Sequence, residues 1–563
     1  MNSKYKYPFF KIAFLAIGVL FAFSVRSQIL IVPPNPGNLS TVEHLTQSND
    51  YTVEVKKSSD VNYTTCFVYK TNNYATEAIK SETSVSFTNV SFSGTSINVR
   101  ITCKFTANNV TIRPLDYGVN AVRSGNVITF TLSSPRKISI EVNDRKNPLF
   151  IFADTPDVPN TKATYYYAPG TVTNIGLQKQ LKSGESVYIA GGAVVEGSFK
   201  FDWNSNNISV KGRGILCMGE WLWESKDLAF LGPKAMFSTA TNRLQMEGII
   251  LANSTGWQIS IYNSDGNKCY DNQFRNLKLI SWNPNSDGIW VNGNNIVVDD
   301  CFIFNNDDAC MSHAVSNSKI SNMVIWGGLW GRIYMHSGQD TKPLSDNMTL
   351  ENINVIGKDG GSELILVSGG SSFTQNINNF TFRNIRIEAH PNTSSYNTNK
   401  FLIMNISGSK QINNWLFENV TLDYKNPDEG EIYGTSSALI NKITLCNFKI
   451  AGSYVTTLAQ ANMDKNSYAT NVTFCTSTGI DGIDSNVAEL TIYPNPSTDF
   501  INVKGTKNNS QIALYDMLGK KVLVQDVNSD DAKIDVSGLK SGMYFFTIIG
   551  GGKIVHNGKL IKE

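Results

Sequence analysis

The chain has 563 residues, with 49 Lys and Arg against 47 Asp and Glu, and only 17% of its residues are charged. A formal charge of +2 without a basic stripe excludes a nucleic-acid partner. The length implies about two to four domains, and abundant Asn, Ser, Thr and Gly suit a β-rich exported protein better than a helical one.

Residues 1–27 begin basic (Lys4, Lys6, Lys11), continue as an apolar run from Ile12 to Phe23, and end in Ser24-Val25-Arg26-Ser27. The run is too short to span a bilayer, so it reads as a secretory signal cut near Ser27-Gln28. Residues 28–147 carry short alternating runs, among them Tyr51–Val55, Thr83–Phe87, Ile97–Ile101, Val127–Leu132 and Ile138–Val142. Regular spacing of this kind predicts an antiparallel β-sandwich that supports the protein or contacts carbohydrate. Cys66 and Cys103 lie beside two of these runs, and in an exported chain they are read either as a disulfide or as two buried thiols.

The rhythm changes at Lys146–Ala153. A six-residue phrase then recurs at Phe274–Leu279, Val298–Ile303, Leu350–Val355, Phe382–Ile387, Phe417–Leu422 and Leu445–Ile450. The intervals are 24 to 35 residues, apart from one of 52 that holds a degenerate copy at Val324–Trp330. One supersecondary unit per repeat, stacked on the last, predicts a parallel β-helix over 148–480, and the preference of parallel crossovers makes it right-handed. The Asn in mid-phrase fits a turn at which side chains share hydrogen bonds from coil to coil. The fold class expected is therefore all-β: a sandwich, a right-handed parallel β-helix and a small C-terminal sandwich.

That last sandwich follows a polar linker at 476–486 and covers 487–563, with Leu490–Ser497, Ile512–Lys520, Ile534–Leu539 and Gly542–Ile548 as its runs. The segment resembles the C-terminal sorting domain of the type IX secretion system of Bacteroidota. The resemblance implies secretion or display at the outer-membrane surface, the secretion machinery as a partner, and no part in the chemistry.

Within the β-helix, Asn285-Ser286-Asp287 and Asn306-Asp307-Asp308 stand about one coil apart, so three carboxylates gather at one place. Clustered acids repel and destabilise a fold, which makes such a group a candidate site. Neighbouring carboxyls also push their pKa values apart, as a general acid and a base require. For Asp307 and Asp308 to share a cleft the backbone must bend, and Asn305-Asn306 suits a bend. Trp282, Trp290, Trp257, Trp326 and Trp330 fall near these coils, where they either stack on sugars or pack the core; Arg332, His336 and Glu363 lie beyond them as candidate substrate contacts. Cys301 and Cys310 flank the acids, but no zinc spacing exists, and Cys217, Cys269, Cys446 and Cys475 read as interior or rung residues.

These motifs, with Val324–Trp326 and the Arg332 to Gly338 stretch, resemble glycoside hydrolase family 49 (dextranase, isopullulanase) and more distantly the family 28 polygalacturonases. The G-H-G and R-I-K motifs of family 28 are absent, and Cys310-Met311 stands where family 49 members tend to carry a basic residue. The resemblance implies an inverting hydrolase of a polysaccharide such as dextran or pullulan. In it Asp307 is the general acid, and Asp287 and Asp308 activate water; Asn285, Trp282, Trp290, Arg332, His336 and Glu363, by their place near these coils, are the candidate substrate contacts. No metal or cofactor is implied, and a monomer is expected. Inversion requires a gap of roughly 6.5 to 9.5 Å between acid and base, which a diagonal across coils about 4.8 Å apart can supply. The alternatives are a hydrolase of pectin or algal galactan, a lyase or epimerase, which would need a Lys or Arg base, and a surface protein that binds glycans without cleaving them.

Overall fold

The computed structural model describes residues 28–73, 83–223, 234–261, 269–337, 345–360, 363–369, 375–388, 400–424, 428–476, 491–504, 510–516, 520–527, 531–550 and 553–563. The expected signal segment 1–27 and most of the linker lie outside them. The chain forms two compact units: the first runs to Ser312 and includes Asn322–Tyr334 and Asn354–Gly360, and the second holds His313–Ser321, Met335–Ile353 and Gly361–Glu563.

In the first unit the sandwich is built of two sheets. Tyr51–Lys57, Ile97–Cys103 and Val127–Leu132 pair antiparallel, and each buries every second side chain, because successive residues of a strand point to opposite faces. Their inward residues, with Ile138, Ile140, Leu149 and Ile151, form one apolar core. The other sheet departs from expectation. Leu149–Asp154 pairs antiparallel with Lys137–Val142 and parallel with Thr83–Ser93, so the sandwich extends past residue 147 and contains a parallel pair. All six residues of this strand are buried. Leu149, Ile151 and Ala153 face the sandwich core, while Phe150 and Phe152 face the β-helix. A strand covered on both sides has no polar alternation to mark it as part of a sandwich, and its apolar run reads as the start of the next domain.

The coils begin at Tyr165–Tyr167. Residues stack in parallel register, as in the column Leu216, Leu251, Leu279, Ile303, Ile325, all of them buried. These are the rungs of a parallel β-helix. The alternate column faces the sandwich: Ile215, Ile250, Phe302 and Val324 join Phe87, Phe150 and Phe152 in a second apolar core. One member of that column is polar. Lys278 is fully buried, and its ammonium lies 2.5 Å from Asp154 of the sandwich and 3.1 Å from Gly248 O, which compensates a charge that burial would otherwise make costly.

In the second unit the phrase asparagines turn the chain. Asn352, Asn384, Asn419 and Asn447 all have φ between 52° and 57°, the left-handed region that Asn tolerates best after Gly. Asn384 donates to Asn352 at 3.0 Å, Asn419 to Asn384 at 3.0 Å and Asn447 to Asn419 at 2.9 Å. Cys446 and Cys475, read as plain rung residues, are register partners on successive coils and form a disulfide, whereas Cys66 and Cys103 are buried free thiols. Strands between Thr491 and Lys562 form two antiparallel sheets around Ile501, Val503, Ile512, Leu514 and Ile548.

The contact of Phe150 and Phe152 with Phe302 (ring centroids 4.8 and 5.1 Å apart) joins sandwich to coils. Phe152→Ala is therefore expected to cost about 3–5 kcal/mol and to lower the melting of sandwich and coils together. Calorimetry of the full-length variant checks this; a lowered sandwich transition beside an unmoved second one would contradict it.

Candidate active site

Three consecutive coils of the first unit supply the site. After Lys278–Ile280 the chain reaches Asn285, whose φ of 49° reverses its direction ahead of Ser286 and Asp287. After Phe302–Asn305 it bends at Asn306 and Asp307, and the Asp308 amide donates to Asp307 Oδ1 at 2.9 Å, a local turn that Asp favours. Asn305 Nδ2 donates to Ser286 O at 3.1 Å and to Asp308 O at 3.0 Å, and the Asn306 amide donates to Ser286 Oγ at 3.0 Å. The two acidic loops are thus fastened to each other by the residues that precede the acids. The third coil returns at Gly328–Arg332: Gly328 N donates to Asn305 O (2.7 Å) and Leu329 N to Asn306 Oδ1 (2.9 Å). A Cβ on Gly328 would collide with Asn306, so only glycine admits this approach.

The outcome is that Asp287, Asp307 and Asp308 bring one carboxylate oxygen each within 4.8 Å of the others. Asp287 and Asp308 are almost wholly buried, and Asp307 is partly open. Arg332 Nη1 lies 3.0 Å from Asp308 Oδ1, which places one negative charge of the trio on Asp308. Burial first, and the charge of Asp308 second, push the Asp307 carboxyl up to about 8, against the opposing pull of Arg332 and Lys358. Burial and then the charges of Asp307 and Asp308 raise Asp287 well above the ordinary carboxylate range. Among the described residues, Asp287 Oδ2 is buried without a hydrogen-bond partner, as fits an oxygen reserved for a water or substrate. The spacing would also accept a divalent cation, but Arg332 and Lys358 already supply positive charge from the protein, and acid–base chemistry suits the unequal carboxyls better.

The other expected contacts divide. Arg332 joins the acids, and Asn285 shapes the loop that carries Asp287. Trp282 stacks on Phe304 at 4.5 Å in the core shared with the sandwich, and Trp290 is buried against Trp257 at 4.5 Å. Both are packing residues rather than open platforms for a sugar. His336 and Glu363 belong to the second unit and are buried. His336 meets Phe380 edge-on, and burial, followed by His313 and Lys410, pushes its pKa down to about 3. It is a neutral core histidine, and its expected contact with substrate is corrected. Lys358, buried on the next coil, is close enough for its charge to act on Asp307. The nearest-oxygen spacing is moreover shorter than the gap of roughly 6.5 Å or more expected for inversion.

Residues 491–563 match the secretion system C-terminal sorting domain, so the C-terminal sandwich is the sorting module of type IX export. The chain is 22% identical over 277 residues to exopolygalacturonase B of Aspergillus niger, covering 44% of this chain and 61% of that protein. It thus spans 61% of the length of this curated relative. In structure it is similar to Dex49A from Penicillium minioluteum, with a TM-score of 0.61, 17% identity, and coverage of 79% of this chain and 96% of that one; the likeness is one of fold.

A carboxyl whose folded pKa lies above its unfolded value of 3.8 stays neutral in the fold while the unfolded chain ionises. Asp307 therefore lowers stability as pH rises from 3.8 to about 8, with no cost below that window. Asp307→Asn and Asp287→Asn are expected to melt several degrees above the parent at pH 7, with the gain gone near pH ~3.5. Thermal scans at both values test this, and a gain that persists in acid would refute it.

Proposed function

We propose that the protein is an exported glycoside hydrolase acting on a polysaccharide. The observation that carries this reading is the convergence at one spot of three carboxyls of unequal character, two almost wholly buried and one partly open. Asp307, neutral up to about pH 8 and partly open, is suited to protonate the leaving glycosidic oxygen. Asp308, ionised opposite Arg332, takes a proton from the attacking water, and Asp287 holds that water with it. Two carboxylate oxygens within 4.8 Å can each sit about 2.8 Å from one bridging water. As water attacks the anomeric carbon, the bond to the leaving oxygen breaks, the Asp307 proton moves to that oxygen, and the water's proton moves to Asp308.

The fold shared with Dex49A, and the family 49 motifs around the acids, support an α-glucan such as dextran or pullulan as substrate. The similarity to exopolygalacturonase B makes a pectic chain the first alternative. Lys358 is buried and committed to Gly328 O and Gly360 O, which disfavours it as the base of a lyase. Export by the type IX route places the enzyme outside the cell or on the outer membrane, where polysaccharides are met. A panel of α-glucans, pectins and algal galactans assayed for new reducing ends tests the reading, and binding without reducing ends across the panel would replace it by a glycan-binding protein.

The close spacing favours one rival course, in which a carboxylate attacks the sugar directly and configuration is retained. We expect inversion: proton NMR of the first product before mutarotation should show the anomer opposite to the bond cleaved, and retention would assign one aspartate as nucleophile. Roles separate by leaving group. Asp307→Asn should lose most turnover on a natural glycoside and far less on an activated aryl glycoside, while Asp308→Asn should lose on the order of 10² or more on both. Equal losses on both substrates for both variants would leave Asp307 without the acid's role.

A further inference from the structure

Lys358 is 3% exposed, and no motif marks it. Its ammonium donates to Gly328 O at 3.2 Å and to Gly360 O at 3.2 Å. Gly328 opens the bend that ends at Arg332, and the bend is tied to the acid loop through Gly328 N to Asn305 O, Leu329 N to Asn306 Oδ1 and Trp330 N to Asn306 O. On its other side Asp359 N donates to Gly327 O at 2.9 Å. A Cβ on Gly360 would strike the backbone of Leu329, so the two segments meet backbone to backbone with the lysine head between their carbonyls. We propose that Lys358 is a positioning residue for the acid: clamped between Gly328 O and Gly360 O, it fixes the Gly328–Arg332 bend against Asn305–Asp308 and adds a second positive charge, beside Arg332, that acts on Asp307.

The inference rests on the reading of Asp307 as general acid. Asp307 is faced by Asp308 on its own loop, by Asp287 from the preceding coil, by Arg332 from the following one and by Lys358 from the next. Asp359, beside Lys358, is turned toward Trp326 Nε1 at 2.7 Å. Arg332, paired with Asp308, also acts on Asp307, and Lys358 adds a second, weaker cation from the next coil. A cation there lowers the carboxyl's affinity for its proton, so that burial and two neighbouring acids do not hold the proton too tightly to give it up.

The test uses the full-length protein with Lys358→Met, which removes bond and charge, Lys358→Gln, which keeps a donor, and Lys358→Arg, which keeps the charge. On a polysaccharide that the parent cleaves, Met and Gln should lower kcat at least about tenfold with little change in KM. They should also move the alkaline limb of the pH profile upward by about one unit, while Arg leaves it in place. A lysine that merely holds the fold would lower activity without moving the limb, and that result overturns the proposal, as does an equal shift with Arg. A second measurement needs no turnover. In a thermal double-mutant cycle with Asp307→Asn, the effects should be non-additive near pH ~9, where the Asp307 carboxyl is ionised, and additive near pH ~5.5, where it is neutral. Additivity at both values overturns the inference. Non-additivity in a protein that cleaves no glycan would instead overturn the proposed function and leave the Lys358 contact standing. If Lys358→Met does not fold, Lys358→Gln carries both measurements.

Discussion

Three carboxyl groups held within 4.8 Å of one another, two of them almost wholly buried, are the constraint around which this molecule is arranged. If all three were ionised, their mutual repulsion in a medium of low dielectric would pull the loops apart. The structure answers with two devices: protons kept on Asp307 and Asp287 by burial, and cations at Arg332 and Lys358. Neither device works if the loops can separate. The hydrogen bonds of Asn305 and Asn306 to the Asp287 and Arg332 loops are therefore as much a part of the electrostatics as the charges, because they prevent the relaxation that would let water in.

The sandwich acts on the same constraint from behind. Phe304, the residue before Asn305-Asn306, is packed by Phe150 of the sandwich at 5.3 Å, by Trp282 at 4.5 Å and by Trp326 at 5.4 Å. Arg145 of the sandwich lies 4.1 Å over Trp326 and donates to Ile356 O at 2.9 Å. Each of the four coils that bring charge to the site is thus held two to six residues upstream of its charge by an aromatic or cationic contact with the sandwich or with a residue the sandwich touches. Close-packed interiors transmit displacement because no slack absorbs it. The amino-terminal domain accordingly works as the rear wall of the site, and Lys278 paired with Asp154 keeps that wall in register with the rung below Phe302.

Much of this was legible in the sequence. The repeat phrase marked the coils, its Asn marked the turns, and the spacing of Asp287 from Asp307-Asp308 marked the trio, because all three signals are local or periodic. The edge of the sandwich was misplaced since Leu149–Asp154 is apolar on both faces and reads like a rung. Trp282 and His336 were misjudged for a shared reason: type and position along the chain say which coil a side chain occupies, but whether it points to solvent or to core depends on what covers the coil. For Trp282 the cover is partly the sandwich, which the sequence does not announce.

Lys358 was missed although a signal existed. In the second copy of the phrase, ending at Ile303, the acids stand four and five residues further on; in the copy ending at Val355, Lys358 stands three further on. Coils in register carry equivalent offsets to neighbouring places, so a charged residue just after any copy of the phrase belongs to the same face of the helix. Read this way, the offset after the phrase picks out Lys358 and, in the degenerate copy ending at Trp330, Arg332 two residues on rather than His336 six on; Asp287, eight residues after Leu279, falls outside such a window. It also implies that the cations did not need to be near the acids in sequence: parallel coils bring residues about 25 and about 50 positions apart to one place, one and two coils on, which is how a chain with so few charged residues gathers five of them at a single point.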